Sequence, residues 1–275
     1  MGYFQLANLG YQWEDSVAKM EEFVNKALTL DPDLAQGHAL RGWLYWFKGN
    51  PKEIASHSRR ALAIFPDEPM ALQGLILALS IAGRASEATP FAERLIKIDP
   101  LDSMTCFVIG ARRLYGGQYD HALEAFRRWF ELYPDNYLTH YWYALTLAYC
   151  GRTESAILML GQAQVPKGVI WGTFPLKYAL EGDAEKVVQL YAGLSPDSKR
   201  RNLADGQSSY QIAVTFAFVK QRQAALDWLE NAVNRGFLNY PLMAEKDPFL
   251  ANIRGEERFQ KLMERVKYEW EHFEV

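Results

Sequence analysis

Apolar residues in this chain recur at steps of three and four, the spacing that lines one face of an α-helix. GQYDHALEAF (117–126) places Ala122, Leu123 and Phe126 on one stripe. The final segment carries Phe259, Leu262, Met263, Val266, Trp270 and Phe273 on one face and acids on the other. Four of the apolar runs end in one phrase: ALTLDPD (27–33), ALAIFPD (61–67), LIKIDPL (95–101) and WFELYPD (129–135). Pro32, Pro66, Pro100 and Pro134 each follow the last by 34 residues, and Gly49, Gly83, Gly117 and Gly151 keep that interval 17 residues behind them. A fixed period of this length marks stacked copies of one supersecondary unit.

Each ladder has a mechanical meaning. Proline cannot continue a helix, so every one ends an apolar-periodic segment. Asp33, Asp67, Asp102 and Asp135 follow within two residues, where a side-chain oxygen can accept from the first turn of the next helix. The glycine halfway along allows a tight turn between antiparallel helices. The clearest copy is Gly49-Asn50-Pro51-Lys52-Glu53, with an N-cap Asn, proline at the first helical position and Glu at N3. Ala55, Ala88, Ala122 and Ala156 sit shortly after each glycine, where two helices must approach closely. The unit is helix, turn, helix, turn, and the predicted fold class is all-α.

With Gly42 and Gly110 at position 8, Ala88, Ala122 and Ala156 at position 20, Ala27 and Ala61 at position 27 and proline at 32, the unit resembles the tetratricopeptide repeat. That resemblance implies an α-solenoid, a right-handed superhelix of antiparallel helix pairs. Four regular repeats (33–66, 67–100, 101–134, 135–168) and a clipped first one make an array over 1–168. Residues 169–236 read as two divergent pairs, WGTFPLKYALEGDAEKVVQLYAGL with Gly182 at its turn and SSYQIAVTFAFVKQRQAALDWLENAVNRG with Lys220-Gln221 in place of the glycine. SPDSKRRNLADG between them reads as a polar connector and hinge, its Lys199-Arg200-Arg201 a solvated loop. Residues 237–275 form a C-terminal capping segment that covers the last apolar surface. Arg41 and Arg113 stand where the family usually buries Leu or Tyr, so either their stems reach outward or acids lie nearby.

Composition narrows the function. A net charge of −3 leaves no basic footprint for nucleic acid. No apolar run is long enough to span a bilayer, and MGYFQLANLGYQWED has no basic n-region or cleavage site. Cys106 and Cys150 are two cysteines in apolar helical sequence, which suits buried thiols in a reducing compartment, so a cytoplasmic location is expected. The phosphate-binding, zinc-protease and nucleophile-elbow motifs are absent. His38, His57, His121, His140 and His272 have no metal-ligand spacing, and His38 and His140 share a packing position. No enzyme, metal or cofactor is expected.

The resemblance places the binding surface on the concave wall, at positions 2, 5, 9, 12 and 13 of each first helix. In the first regular repeat these are Gln36, Ala39, Trp43, Trp46 and Phe47, and in the next Met70, Gln73, Leu77 and Ser80. The third gives Met104, Phe107, Ala111, Leu114 and Tyr115; the fourth gives Leu138, Tyr141, Leu145, Ala148 and Tyr149. This lining is aromatic, and Trp43, Trp46 and Phe47 form one patch at spacings of three and four. The expected function is a protein–protein interaction scaffold whose groove takes an apolar or amphipathic peptide or helix. The alternative is that the array or its tail covers those rings. Ala39 and Trp43 replace the Lys and Asn of the family's chaperone-tail clamp, so an acidic C-terminal peptide is not the expected ligand.

The tail also resembles the closing segment of arrays in bacterial multidomain regulators, which implies a sensory module detached from a kinase, nucleotide cyclase or winged-helix regulator. A small-molecule pocket between array and tail, and homodimerisation through the aromatic face, also stay open.

Overall fold

Gly49, Gly83, Gly117 and Gly151 all adopt positive φ, between 66° and 77°, the left-handed conformation that a tight turn between antiparallel helices demands. Lys220, at the position where the sequence substitutes for glycine, adopts φ 61° as well. The turn geometry therefore survives there at the expense of a side chain in a disfavoured region.

The computed structural model describes residues 13–165 and 172–274. The first part of the clipped repeat, the end of the fourth repeat and Trp171 lie outside the described residues. The described residues form helices and no strands. After α1 (Trp13–Leu30) come the pairs α2 (Ala35–Phe47) and α3 (Pro51–Ile64), α4 (Pro69–Ile81) and α5 (Thr89–Ile98), α6 (Ser103–Tyr115) and α7 (Tyr119–Leu132), and α8 (Tyr137–Tyr149) and α9 (Thr153–Gln162). The divergent pairs are α10 (Thr173–Leu180) with α11 (Ala184–Ala192), and α13 (Gly206–Phe218) with α14 (Arg222–Asn234). The expected connector between them is itself a helix, α12 (Pro196–Ala204), with Ser195 accepting from the Ser198 N–H as its cap. Proline at the first helical position and a serine cap outweighed the polar composition that suggested a hinge. α15 (Glu257–Glu271) is the last.

Three of the four caps that follow the repeat prolines fall one residue later than expected. The capping position is the second after each proline, occupied by Leu34, Glu68, Asp102 and Asn136. Of the four aspartates only Asp102 stands there, accepting from the Thr105 N–H at 2.8 Å. Asp67 instead pairs with Arg94 at 2.5 Å. The proline and its successor are used up in the turn, so the helix starts beyond them. Asn50 does cap α3, accepting from the Glu53 N–H.

Helices of the two layers differ as their surroundings require. In α4 every residue from Ala71 to Ile81 is buried, the pattern of a helix enclosed on all sides. The outer α7 buries only Ala122, Leu123, Phe126 and Trp129. The small residues do what their spacing implies: Ala55, Ala88, Ala122 and Ala156 are fully buried, and a Cβ at Gly110 would overlap the Phe126 ring. Arg41 donates to the Asn25 amide oxygen and Arg113 to the His121 carbonyl, so neutral oxygens at partly accessible sites, not carboxylates, receive those guanidinium groups.

The array closes on itself. From Arg235 onward the chain crosses the intra-repeat turns in order. Gly236 lies against Pro51 and the Gly49 carbonyl. The Leu238 N–H donates to the Ile81 carbonyl at 3.0 Å, and the Asn239 amide donates to the carbonyls of Ser80 and Tyr115 at 3.0 and 2.9 Å. Lys246 reaches the Gly116 carbonyl at 3.1 Å, and the Phe249 ring sits 4.6 Å from that of Tyr149. α15 then buries Phe259, Leu262, Met263 and Val266. Arg258 of α15 holds Glu230 and Asp227 of α14. Trp270 ends against the Gly83 turn, with Arg84 donating to its carbonyl at 2.8 Å.

Asp247 is the polar centre of this closure. It is fully buried, and one carboxylate oxygen accepts from the hydroxyls of Tyr149 and Tyr210 at 2.7 and 2.5 Å. Burial pushes its carboxyl above the ordinary value of 3.8. The fold therefore keeps a proton that the unfolded chain has already lost. By linkage, the stability tied to that proton is present below 3.8 and is lost as pH rises through the elevated folded value. Wild type should thus lose stability relative to Asp247→Asn as pH climbs out of the acid range, read from paired urea midpoints at each pH.

Candidate functional site

Helix α13 lies along the inner wall of the array, and every residue from Gly206 to Ala217 is buried. Its polar side chains are matched to the wall. The Gln207 amide donates to the Tyr115 hydroxyl at 2.7 Å, and the Tyr141 hydroxyl donates to the Gln211 amide oxygen at 3.2 Å. Tyr210 stacks on Phe237 at 4.1 Å and meets Tyr115 edge-on. Burial pushes the Tyr115, Tyr141 and Tyr210 hydroxyls up, so these phenols act as neutral hydrogen-bonding groups. The part of the concave wall built by α6 and α8 is thus filled by the chain itself.

What remains is a cavity of about 710 Å³ at the end of the superhelix where the inner helices begin. Its floor is aromatic: Trp43, Trp46, Phe47, Phe107 and Trp142, with Leu77 between them. The indoles of Trp43 and Trp46 lie 6.3 Å apart, and Phe107 meets Trp142 edge-on at 5.2 Å. Trp43 is anchored by its N–H on the Met70 carbonyl at 3.1 Å. Met70, Met104 and Leu138, each in the first turn of its helix, add adaptable apolar surface. The rim is polar because the cap residues sit there: Glu68, Asp102, Asn136 and Asp205, with Asp99 beside them and Arg201 from α12. The Asp102 carboxylate accepts from the Gln73 amide at 2.9 Å as well as from its own helix.

The wall residues expected from sequence therefore divide. Gln36, Trp43, Trp46, Phe47, Gln73, Leu77 and Phe107 line the cavity. Tyr115 and Tyr141 are packed under α13, and Tyr149 is held by Asp247. Leu114 and Leu145 are buried in the main core, and Ala39 packs with Ala61 and Ala71 between helices. The positions implied by the resemblance include these residues, but a later helix of the same chain takes up part of the inner surface. The rim carboxylates were not anticipated as site residues. Glu68 and Asp102 carried a sequence signal, each standing two residues beyond a proline, whereas Asp99 precedes Pro100 and Asp205 precedes α13.

The other chemical groups serve packing. His38 Nε2 lies 2.8 Å from the Pro32 carbonyl and its ring stacks with His57 at 5.8 Å, while His140 meets Phe130 edge-on. Cys106 is buried and Cys150 half-buried, and burial raises both thiols. Among the described residues no cluster of three His, Cys, Asp or Glu side chains could hold a metal, and no helix is long and apolar enough to cross a membrane.

No protein-family model and no curated protein sequence matches this chain. Solved structures do. A chain of the APC/C hetero-tetramer Cut9-Hcn1 aligns with 95% of this chain at a TM-score of 0.55 and 14% identity. This chain spans 47% of that one's length, about half. A tetratricopeptide repeat protein from Parabacteroides merdae aligns at a TM-score of 0.50 and 15% identity, covering 84% of both chains. Together with the 34-residue ladder and its turn geometry, these likenesses give the chain the fold of a tetratricopeptide-repeat α-solenoid, curled until its last helix pair rests against its first regular repeat.

Proposed function

We propose that this chain is a non-catalytic protein-interaction scaffold that takes apolar anchor residues of a partner segment into the mouth of its superhelix. The carrying observation is the aromatic cavity left after α13 has occupied the rest of the groove. A solenoid fold offers an extended concave surface for partners, and indole rings are favoured anchors in such interfaces. Because α13 already lies in the groove, the partner enters as a short segment or chain end; a helix running the length of the superhelix has no room.

Trp46 is the residue to test, since it is half-buried and on the cavity floor. Trp46→Ala is expected to lower affinity for a captured partner about tenfold or more while the thermal midpoint shifts by a few degrees at most. Unchanged affinity, measured by calorimetry against the purified partner segment, would exclude the cavity as the binding site.

A further inference from the structure

The cavity pairs an aromatic floor with a rim on which acids outnumber bases, and this chooses among partners. Glu68, Asp99, Asp102 and Asp205 stand on its lining against Arg201 as the single basic side chain there among the described residues. Burial pushes the Glu68 and Asp205 carboxyls up, and backbone N–H groups at Ala71 and at Gln207 and Ser208 pull them back toward the ionised form. The carboxylates are there because acids cap inner helices α4, α6 and α13, and those helix starts all open on this one space. An anionic ligand would meet this rim unfavourably. A cation would meet both the carboxylates and the faces of Trp43 and Trp46, which attract positive charge.

Resting on the scaffold role proposed above, we propose that the partner segment is basic and amphipathic. A lysine or arginine reaches the rim beside Asp99 and Asp102, and its apolar neighbours fill the floor over Trp43, Trp46 and Phe107. The size of the space supports a peptide over a bare ammonium ion. About 710 Å³ is many times the roughly 30 Å³ of one water, so a charged head alone leaves most of the aromatic surface wet. The methionines at 70 and 104 suit an apolar side chain of unfixed shape.

The test uses the full chain and three short leucine-rich peptides blocked at both ends, carrying lysine, glutamine or glutamate as the polar residue, titrated by calorimetry. The lysine peptide is expected to bind about tenfold tighter than the glutamine peptide, with the glutamate peptide weakest. Asp99→Asn should remove most of the lysine advantage, because Asp99 follows the end of α5 and caps no helix start. Raising salt should narrow the gap in the same way. Equal affinity for all three peptides would overturn the cationic preference and leave the scaffold role standing. Binding of benzyltrimethylammonium with no peptide bound would overturn the peptide source and make this a small-molecule site. Failure of every probe would overturn the preference and the cavity together.

Discussion

Tyr210→Ala is expected to destabilise the protein by about 3–5 kcal/mol, the range for emptying a buried aromatic site. Tyr210 is fully buried at the junction of three parts: α13 that carries it, the array through Tyr115, and the returning segment through Phe237 and Asp247. Truncation leaves a cavity that α13 cannot close, since Gln207 and Gln211 tie that helix to Tyr115 and Tyr141. It also strips a buried carboxylate of one of its two hydroxyl donors. Tyr210→Phe separates the terms: it keeps the ring stack and should cost only about 1–3 kcal/mol, the penalty for an under-satisfied buried group. Urea unfolding of both variants gives the numbers. A Tyr210→Ala loss below that of Tyr210→Phe would mean that the ring packing contributes nothing, contrary to this structure.

The second large effect is predicted at Gly236. Gly236→Val should cost about 2–4 kcal/mol, combining a β-branched residue at positive φ with a steric clash. Gly236 adopts φ 82°, and a Cβ on it would overlap the Pro51 ring. Pro51 cannot yield easily, being the first residue of α3 behind the Asn50 cap. The chain from Gly236 must therefore lift away from the Gly49 turn. The loss should be local before it is global: amide exchange of Leu238, whose N–H donates to the Ile81 carbonyl, should accelerate more than that of residues inside α4. Wild-type exchange at Leu238 in the variant would show that the returning segment docks without Gly236.

Asp99→Asn and Asp247→Asn probe the two carboxylate settings of the molecule. One lines an accessible cavity and is expected to alter binding. The other is enclosed and should alter the pH course of stability, and neither should reproduce the other's effect.

Much of this was legible in the residues. Period and phase of the prolines and glycines were enough for the helix-turn-helix unit, because a helix cannot pass proline and a two-helix turn needs a left-handed residue. The same logic extended to Lys220, which holds the turn conformation without being glycine. The wall positions came from the resemblance to the tetratricopeptide repeat, and of these Trp43, Trp46 and Phe47 line the cavity. Cap assignment held at Asp102 and failed by one residue at Asp33, Asp67 and Asp135, since a local rule for aspartate after proline does not register how many residues the turn consumes.

Sequence alone thus determined the repeat and the pairing of helices, both consequences of contacts within about 34 residues of chain, while the resemblance supplied the side chains expected on the inner wall. Only the tertiary structure decided which of those side chains meet solvent. Curvature is a sum of small rotations between neighbouring pairs, and no single repeat encodes their total. That total brings Gly236 to Pro51 and lays α13 against Tyr115 and Tyr141. It also leaves the starts of the inner helices, with their acidic caps, facing one aromatic space.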